Sequence, residues 1–286
     1  MYPTTKILLT LALLALPGTQ VSAATMDGAL NNLNEYSFNT LAVPNPKHNT
    51  HNHGSAGSEA DDGSGGDKWD INYLGTDIDR SGATSMFQFG AVGGNILSGQ
   101  NSQSSQDLFL SDLALSVRAP GSPPVEDPTI NDTGSTGWNY AIRLLGLVDS
   151  KDLKDNQKQA DFEVFEFVDG SSWEGRNIYN RNPDGSQGHV TRTFEMMDGQ
   201  SKGTFSGIYT DNGGDNNVLE GAFRLSLLSL FDEATGGSII SYLTMSCVND
   251  EAIVYADIAA VPVPAAFWLF GTALLGFIGI SRRTAV

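Results

Sequence analysis

Cysteine is almost missing from this chain: Cys247 is the only one in 286 residues. An internal disulfide framework is therefore excluded, and the fold has to be held by a hydrophobic core. Basic side chains are also scarce, with 16 Lys and Arg against 33 Asp and Glu and a formal charge of −17. A surface of that sign repels phosphate backbones, so nucleic acid is excluded as a partner. The catalytic signatures are absent as well. There is no Gly-x-Ser-x-Gly elbow, no phosphate-binding glycine loop and no His-Glu-x-x-His. No repeat of fixed period runs through the chain. Long apolar runs are confined to the two ends.

Those ends are informative. Lys6 gives a positive start, Ile7 to Leu16 a short apolar core, and Pro17-Gly18 a break. Val21-Ser22-Ala23 then supplies the small residues of a cleavage site, placing the cut between Ala23 and Ala24. This is the layout of a secretory signal peptide over residues 1–23, and signal peptidase is the partner it implies. At the other end, Val261-Pro262-Val263-Pro264-Ala265 leads into an apolar, glycine-containing run to Ile280, followed by Ser281-Arg282-Arg283. Ala265 to Ile280 would span about 24 Å as a helix at about 1.5 Å per residue. That is slightly short of the roughly 30 Å hydrocarbon core, which describes a marginal transmembrane anchor. Arg282 and Arg283 favour a cytoplasmic C-terminus.

Taken together the two ends resemble the PEP-CTERM class of exported bacterial proteins. The C-terminal signal of that class has a Pro-x-Pro entry, an apolar helix with glycines and a terminal Arg cluster. Here these are Pro262-Val263-Pro264, Ala265 to Ile280, and Arg282-Arg283, closest to the Val-Pro-x-Pro-Ala variant. Val263 stands where the commonest form has Glu. Upstream, Leu243-Thr244-Met245-Ser246-Cys247-Val248-Asn249-Asp250 is similar to a stretch near the end of the β domain in many such proteins. The resemblance implies recognition by an exosortase, a membrane cysteine transpeptidase. It also implies a Gram-negative source, transient residence in the inner membrane, and delivery to the cell surface or exopolysaccharide matrix. It covers the tail and the strand before it, and assigns no activity to the middle of the chain.

The middle reads as strands and turns. Without Lys6, Arg282 and Arg283, 13 basic residues face 33 acidic ones, so the exported part carries a charge near −20. Such a surface favours solubility and association with cations. Residues 24–66 are expected to form an N-terminal flexible segment, because 43–66 hold almost nothing apolar to offset the entropy of ordering. Strands are expected over Asp70 to Arg80, Met86 to Val92 and Asp107 to Val117, with a change of phase at Ser111-Asp112 like that of a β-bulge. Residues 119–137 are a long proline-punctuated loop. Further strands are expected at Trp138 to Val148, Phe162 to Val168, His189 to Met197, Thr204 to Thr210, Val218 to Leu230 and Ser238 to Val248. Asp198-Gly199 and Asn212-Gly213 are hairpin signals. Lys151 to Ala160 is the one helical interlude. The expected fold is an all-β, antiparallel sandwich over residues 67–260, with the C-terminal sorting signal and transmembrane helix over 261–286. The family resemblance adds a jelly-roll-like arrangement.

Candidate chemistry is sparse. His48, His51 and His53 read as a solvated loop rather than a metal site, since no acid or Cys is interleaved. Asp211 and Asp215, in an Asp/Asn/Gly run, are the candidate calcium ligands, although turn chemistry on an acidic surface explains the run more plainly. No other cofactor is indicated. Glu163 and Glu166 lie an odd number apart, so on a strand they face opposite sides and cannot flank one sugar. Trp138 and Trp173 are the candidate carbohydrate contacts, by stacking, against the plainer reading of a sheet edge with solvated charge at Trp173-Glu174. Cys247 falls on an apolar strand face and reads as a buried small side chain. The function expected is non-catalytic: an exported surface or matrix component that adheres to or organises polysaccharide. A surface polysaccharide hydrolase and a permanently anchored periplasmic protein are the alternatives.

Overall fold

The computed structural model describes residues 26–30, 35–41, 71–99, 110–122, 137–181, 187–214, 216–244 and 251–260. Twelve strands occur among them: β1 (Phe38–Leu41), β2 (Ile71–Asp79), β3 (Met86–Gly93), β4 (Leu113–Arg118), β5 (Tyr140–Val148), β6 (Gln157–Glu166), β7 (Ser172–Arg181), β8 (Gln187–Met197), β9 (Gln200–Thr210), β10 (Asn217–Arg224), β11 (Gly237–Thr244) and β12 (Glu251–Ile258). Two short 3-10 turns, Asn95–Ser98 and Leu225–Leu227, are the only helical pieces among the described residues. Every strand pair is antiparallel.

Ten strands form one sheet in the order β1-β2-β3-β10-β9-β6-β5-β4-β11-β12, and β7 with β8 forms a separate ribbon. The large sheet rolls until β12 runs beside β1 and β2. Arg80, just past β2, donates from both Nη atoms to the Ala259 carbonyl just past β12, each at 3.3 Å. The sheet is nearly a barrel. The expected stack of two separate sheets is replaced by one sheet closing on itself, which hides all but its two edge ladders. β2, β3 and β4 belong to this sheet, so the first half of the chain is not a domain of its own.

The roll follows from period-two patterning. Phe87, Phe89 and Ala91 on β3, Leu113, Leu115 and Val117 on β4, Phe162 and Val164 on β6, Leu219 and Phe223 on β10, and Val254, Ala256 and Ile258 on β12 all enter one core. Aromatic rings tie its middle strands together. Phe162 stacks on Phe205 at 4.9 Å, Phe89 meets Phe162 edge-on at 5.4 Å, and Phe223 lies 5.1 Å from Phe205 and 5.2 Å from Phe87. Gly221 makes room for them: a Cβ there would lie 2.5 Å from the Phe89 ring and 2.9 Å from that of Phe205.

Several expectations need correction. Lys151 to Ala160 is not helical: turns occupy 151–156 and β6 begins at Gln157, whose ladder with β9 provides bonds a lone helix turn would lack. Asp198-Gly199 is not a ladder hairpin. It is a corner at which the chain leaves the β7–β8 ribbon and enters β9 of the main sheet, with Asp198 at φ 55°. The phase change at Ser111-Asp112 is a break before β4 rather than a bulge within it. β1, β7 and β12 were not anticipated, although β12 alternates Ala252, Val254, Ala256 and Ile258. The expected flexible segment 24–66 includes residues 26–30 and 35–41, which instead lie against the domain.

The ribbon is held by charge. Asp112, its side chain 3% exposed, receives Nε and Nη2 of Arg143 at 2.8 Å each and the Met196 N–H at 2.8 Å. Arg143 also reaches the Met196 carbonyl at 2.6 Å and Glu195 at 3.2 Å, and lies over the Phe165 ring. Removing one partner of such a buried pair strands the other. Arg143→Ala is expected to lower stability by about 3 kcal/mol in urea unfolding, whereas Lys158→Ala, which breaks the exposed 3.7 Å pair with Asp149, is expected to cost less than about 0.5 kcal/mol.

Candidate functional site

The most unusual group in the protein is Glu220, a carboxylate with no exposure at all. It lies on the outer face of the sheet, where period two would place it in water. Register explains the site. Gly75 on β2, Gly90 on β3 and Glu220 on β10 stand abreast, and the neighbouring row is Tyr73, Val92, Val218, Thr210 and Gln157. Two glycines side by side leave a slot in the outer face. An N-terminal strap, described over residues 26–30 and 35–41, fills it.

Tyr36 lies flat in the slot. A Cβ on Gly90 would meet its ring at 2.6 Å and one on Gly75 would meet its Cβ at 2.7 Å, so neither position accepts a side chain while the strap is docked. The Tyr36 hydroxyl donates to Glu220 Oε1 at 3.0 Å and the Gly28 N–H donates to Oε2 at 2.7 Å. Gly28 has φ +74°, and a Cβ there would lie 2.4 Å from Gln157 and Thr210. Gln157 Nε2 donates to the Asp27 carbonyl at 2.9 Å, and Ser37 donates to Asp77 at 3.0 Å. Leu30 packs on Tyr36 and Tyr73.

Burial pushes Glu220 from an ordinary 4.5 up to about 7, against the opposing pull of the Gly28 N–H and the Tyr36 hydroxyl, with Glu35 and Asp27 adding to the rise. Burial first, and then the Glu220 charge, drives the Tyr36 phenol far above its usual range. Burial likewise raises Asp77, partly offset by the Ile78 N–H and Ser37.

A second polar group caps the end of β5 and β6. Glu166 Oε1 accepts from Tyr140 at 2.9 Å and Ser229 at 2.7 Å, and Oε2 meets Lys202 at 2.7 Å. Burial alone would raise Glu166, but Lys202, Ser229 and Tyr140 together hold it below the usual carboxylate range. Glu163 instead bonds Ser201 on the outer face. The two carboxylates do face opposite sides, as their spacing requires, and form no pair across a substrate groove.

Trp138 and Trp173 are corrected as carbohydrate contacts. They are 2% and 6% exposed and pack with Ala114, Ala141, Met196, Ile240 and Tyr242 between the ribbon and the outer face of β4, β5 and β11. The Trp173 indole donates to the Trp138 carbonyl at 3.0 Å, so neither ring presents a face to a sugar. The Asn212-Gly213 turn joins β9 to β10 as expected. Asp211 Oδ1 accepts the Gly213 N–H at 3.0 Å, and Asn217 Oδ1 accepts from Asn212 and Gly213 at 2.9 and 3.1 Å. Asp215 lies outside the described residues, and among those described no three His, Cys, Asp or Glu side chains converge as a metal site. Ala23, Ala24, the three loop histidines, Cys247 and the sorting-signal residues also lie outside them. An interior cavity of about 20 Å³, lined by Phe89, Leu113, Ile142, Phe162 and Leu219 among others, has the scale of one water and not of a sugar.

The fold and site define an all-β protein: a rolled antiparallel sheet clasped on its outer face by its own N-terminal strap. Comparison with protein-family models, with curated proteins and with solved structures finds no match. Glu220 and Tyr36 escaped the sequence reading. The available signal was glycine at the outward positions 75 and 90, which marks close approach of another segment.

Strap docking is linked to protons. With the strap docked, Glu220 keeps its proton up to about pH 7; exposed to water it would lose it near 4.5. Docking is therefore strongest below about pH 4.5, weakens as pH rises to about 7, and then levels off. Hydrogen exchange of the Gly28 amide, corrected for intrinsic rate, is expected to lose up to about two orders of magnitude of protection across that window. Glu220→Gln is expected to flatten the profile. At the other candidate site, the turn oxygens already have protein partners, so a chelator is expected to leave the thermal unfolding midpoint unchanged.

Proposed function

We propose that this is an exported, non-catalytic component of the surface or exopolysaccharide matrix of a Gram-negative bacterium. In this reading signal peptidase cuts between Ala23 and Ala24, and an exosortase recognises Val261 to Arg283 while the apolar tail holds the protein briefly in the inner membrane. One observation carries the proposal. The described core is drawn from Tyr36 to Ile258, and Arg80 ties off the sheet at Ala259. Among the described residues the rolled sheet thus reaches closure within the stretch of chain that lies between the two candidate processing segments. Its nested β6–β9 pairing and the β3–β10 and β4–β11 pairings that join the two halves of the chain suit the jelly-roll-like arrangement of the resemblance.

A structural role is favoured over hydrolysis because the carboxylates most open to suspicion, Glu163 and Glu166, are divided between two faces. With Trp138 and Trp173 buried, any polysaccharide contact falls to other residues. Among the described residues no helix is long and apolar enough to cross a membrane, and the candidate anchor lies outside them. Fractionation of the producing cell with intact-mass measurement tests the proposal. The expected product begins at Ala24, lacks the Arg282-Arg283 end and is found outside the inner membrane. A product retaining Arg283 in the inner membrane would support the permanent anchor instead, and one retaining Met1 in the cytosol would overturn export.

A further inference from the structure

The β7–β8 ribbon changes character along its length. Its base is fixed: Trp173 and Met196 pack on the sheet, and Asp112 accepts the Met196 N–H at 2.8 Å. Between Glu174 and Gly175 the ladder register shifts, and a bulge of this kind re-aims the strand that follows. The half beyond it joins 176–181 to 187–192 in six residue pairs, about 20 Å at about 3.3 Å per residue. Among the described residues it pairs with no third strand, and a two-stranded ribbon in water is marginal by itself. Its charge is as unusual as its setting. Those twelve residues include Arg176, Arg181 and Arg192 and no acid, and the connecting 182–186 adds only Asp184. With +3 here and −17 overall, the rest of the chain sums to −20. The register sets Arg176 directly opposite Arg192, and like charges so placed oppose pairing. Glu195, opposite Glu174, is engaged by Arg143 at 3.2 Å. Glu174 is then the nearest remaining acid along the ladder for both arginines. Stability alone does not account for such a ribbon.

We propose that this distal half of the ribbon is a docking arm for an acidic, carboxylate-bearing polysaccharide. Guanidinium groups match carboxylates fork to fork, and Arg176 and Arg192 stand abreast. Alternation places Ile178, Asn180 and Val190 on their face of the ribbon, and Asn177, Tyr179, Arg181, His189 and Thr191 on the other. Amide and hydroxyl groups of this kind pair with sugar hydroxyls. Two other polyanions fit less well. Duplex nucleic acid carries one charge per about 1.7 Å, so a body at −20 repels it far more strongly than a glycan with at most one carboxylate per sugar. A second copy offers acids to the arm, but docking it brings two strongly negative bodies together. The proposal deepens the matrix reading by naming the glycan's charge class and the residues that meet it, and it rests on that reading for the glycan being within reach.

The test uses the full chain in non-ionic detergent, with sodium alginate as the probe and uncharged dextran and duplex DNA beside it. Alginate is expected to bind with an affinity that falls as salt rises, and dextran is expected not to bind. Arg176→Ala and Arg192→Ala are each expected to weaken alginate binding about tenfold. Arg176→Lys, which keeps the charge and loses the fork, is expected to fall between them and the unsubstituted protein. Lys158→Ala removes the same charge from β6 and is expected to change nothing. Alginate is also expected to slow amide hydrogen exchange over 176–181 and 187–192, a readout that a merely structural role of the arginines would not move. The proposal is overturned if alginate fails to bind up to about millimolar concentration, if dextran binds as well, or if Lys158→Ala costs as much as Arg176→Ala. Tighter binding of duplex DNA than of alginate would assign the arm to nucleic acid instead. Dimers that form without glycan and are lost in Arg176→Ala would assign it to a second copy. Purified protein answers these questions whatever its processing, so failure here leaves the export reading standing.

Discussion

A ten-stranded sheet has two faces, and burying both is the constraint from which the rest of this architecture follows. The inner face solves the problem by rolling: Phe87, Phe89, Phe162, Phe205 and Phe223 meet in one cluster across β3, β10, β9 and β6. Ring-on-ring contact of this kind adds to plain burial, and Gly221 keeps the backbone out of its way. Once the sheet has rolled, β12 arrives beside β1 and β2 and few ladder groups are left unpaired.

The outer face is covered by two separate devices, each laid on small residues. The ribbon β7–β8 covers Ala114 and Ala141, and the strap covers Gly75 and Gly90. Each cover is fixed by a buried carboxylate. Asp112 is satisfied by an arginine, whose two N–H donors face it at 2.8 Å each and tie the ribbon to the domain. Glu220 is satisfied only by neutral donors, so its charge is uncompensated and the strap answers to pH. The same chemistry thus yields a rigid clamp at one place and a releasable one at the other, and the difference is the presence of Arg143.

Much of the fold was legible because alternation is a local property. β2, β3, β4, β5, β8, β9, β10 and β11 were anticipated, most of them from period two, as were the Asn212-Gly213 turn, from its residue types, and the opposed faces of Glu163 and Glu166. The failures have a common cause in long-range pairing. Residues 151–160 carry helix-forming side chains, but β9 offers Gln157 to Ala160 a ladder. Trp138 and Trp173 looked available to a ligand because nothing nearby in sequence announces the ribbon that buries them. β1 is too short to show a period, and its reason to be a strand is the edge of β2, some thirty positions away.

What the sequence by itself determined is the class of the fold, the absence of disulfide bracing, the acidic surface and the inward set of each strand, because these depend on composition and on neighbours two residues apart. Only the tertiary structure decided that one sheet rolls instead of two stacking, that the two tryptophans are interior, and that Glu220 is sealed beneath Tyr36. Those outcomes depend on which strands lie side by side. Gly75, Gly90 and Glu220 form a slot only because β10 inserts next to β3, and the free energy that selects that order is shared among rings and backbone groups distant along the chain.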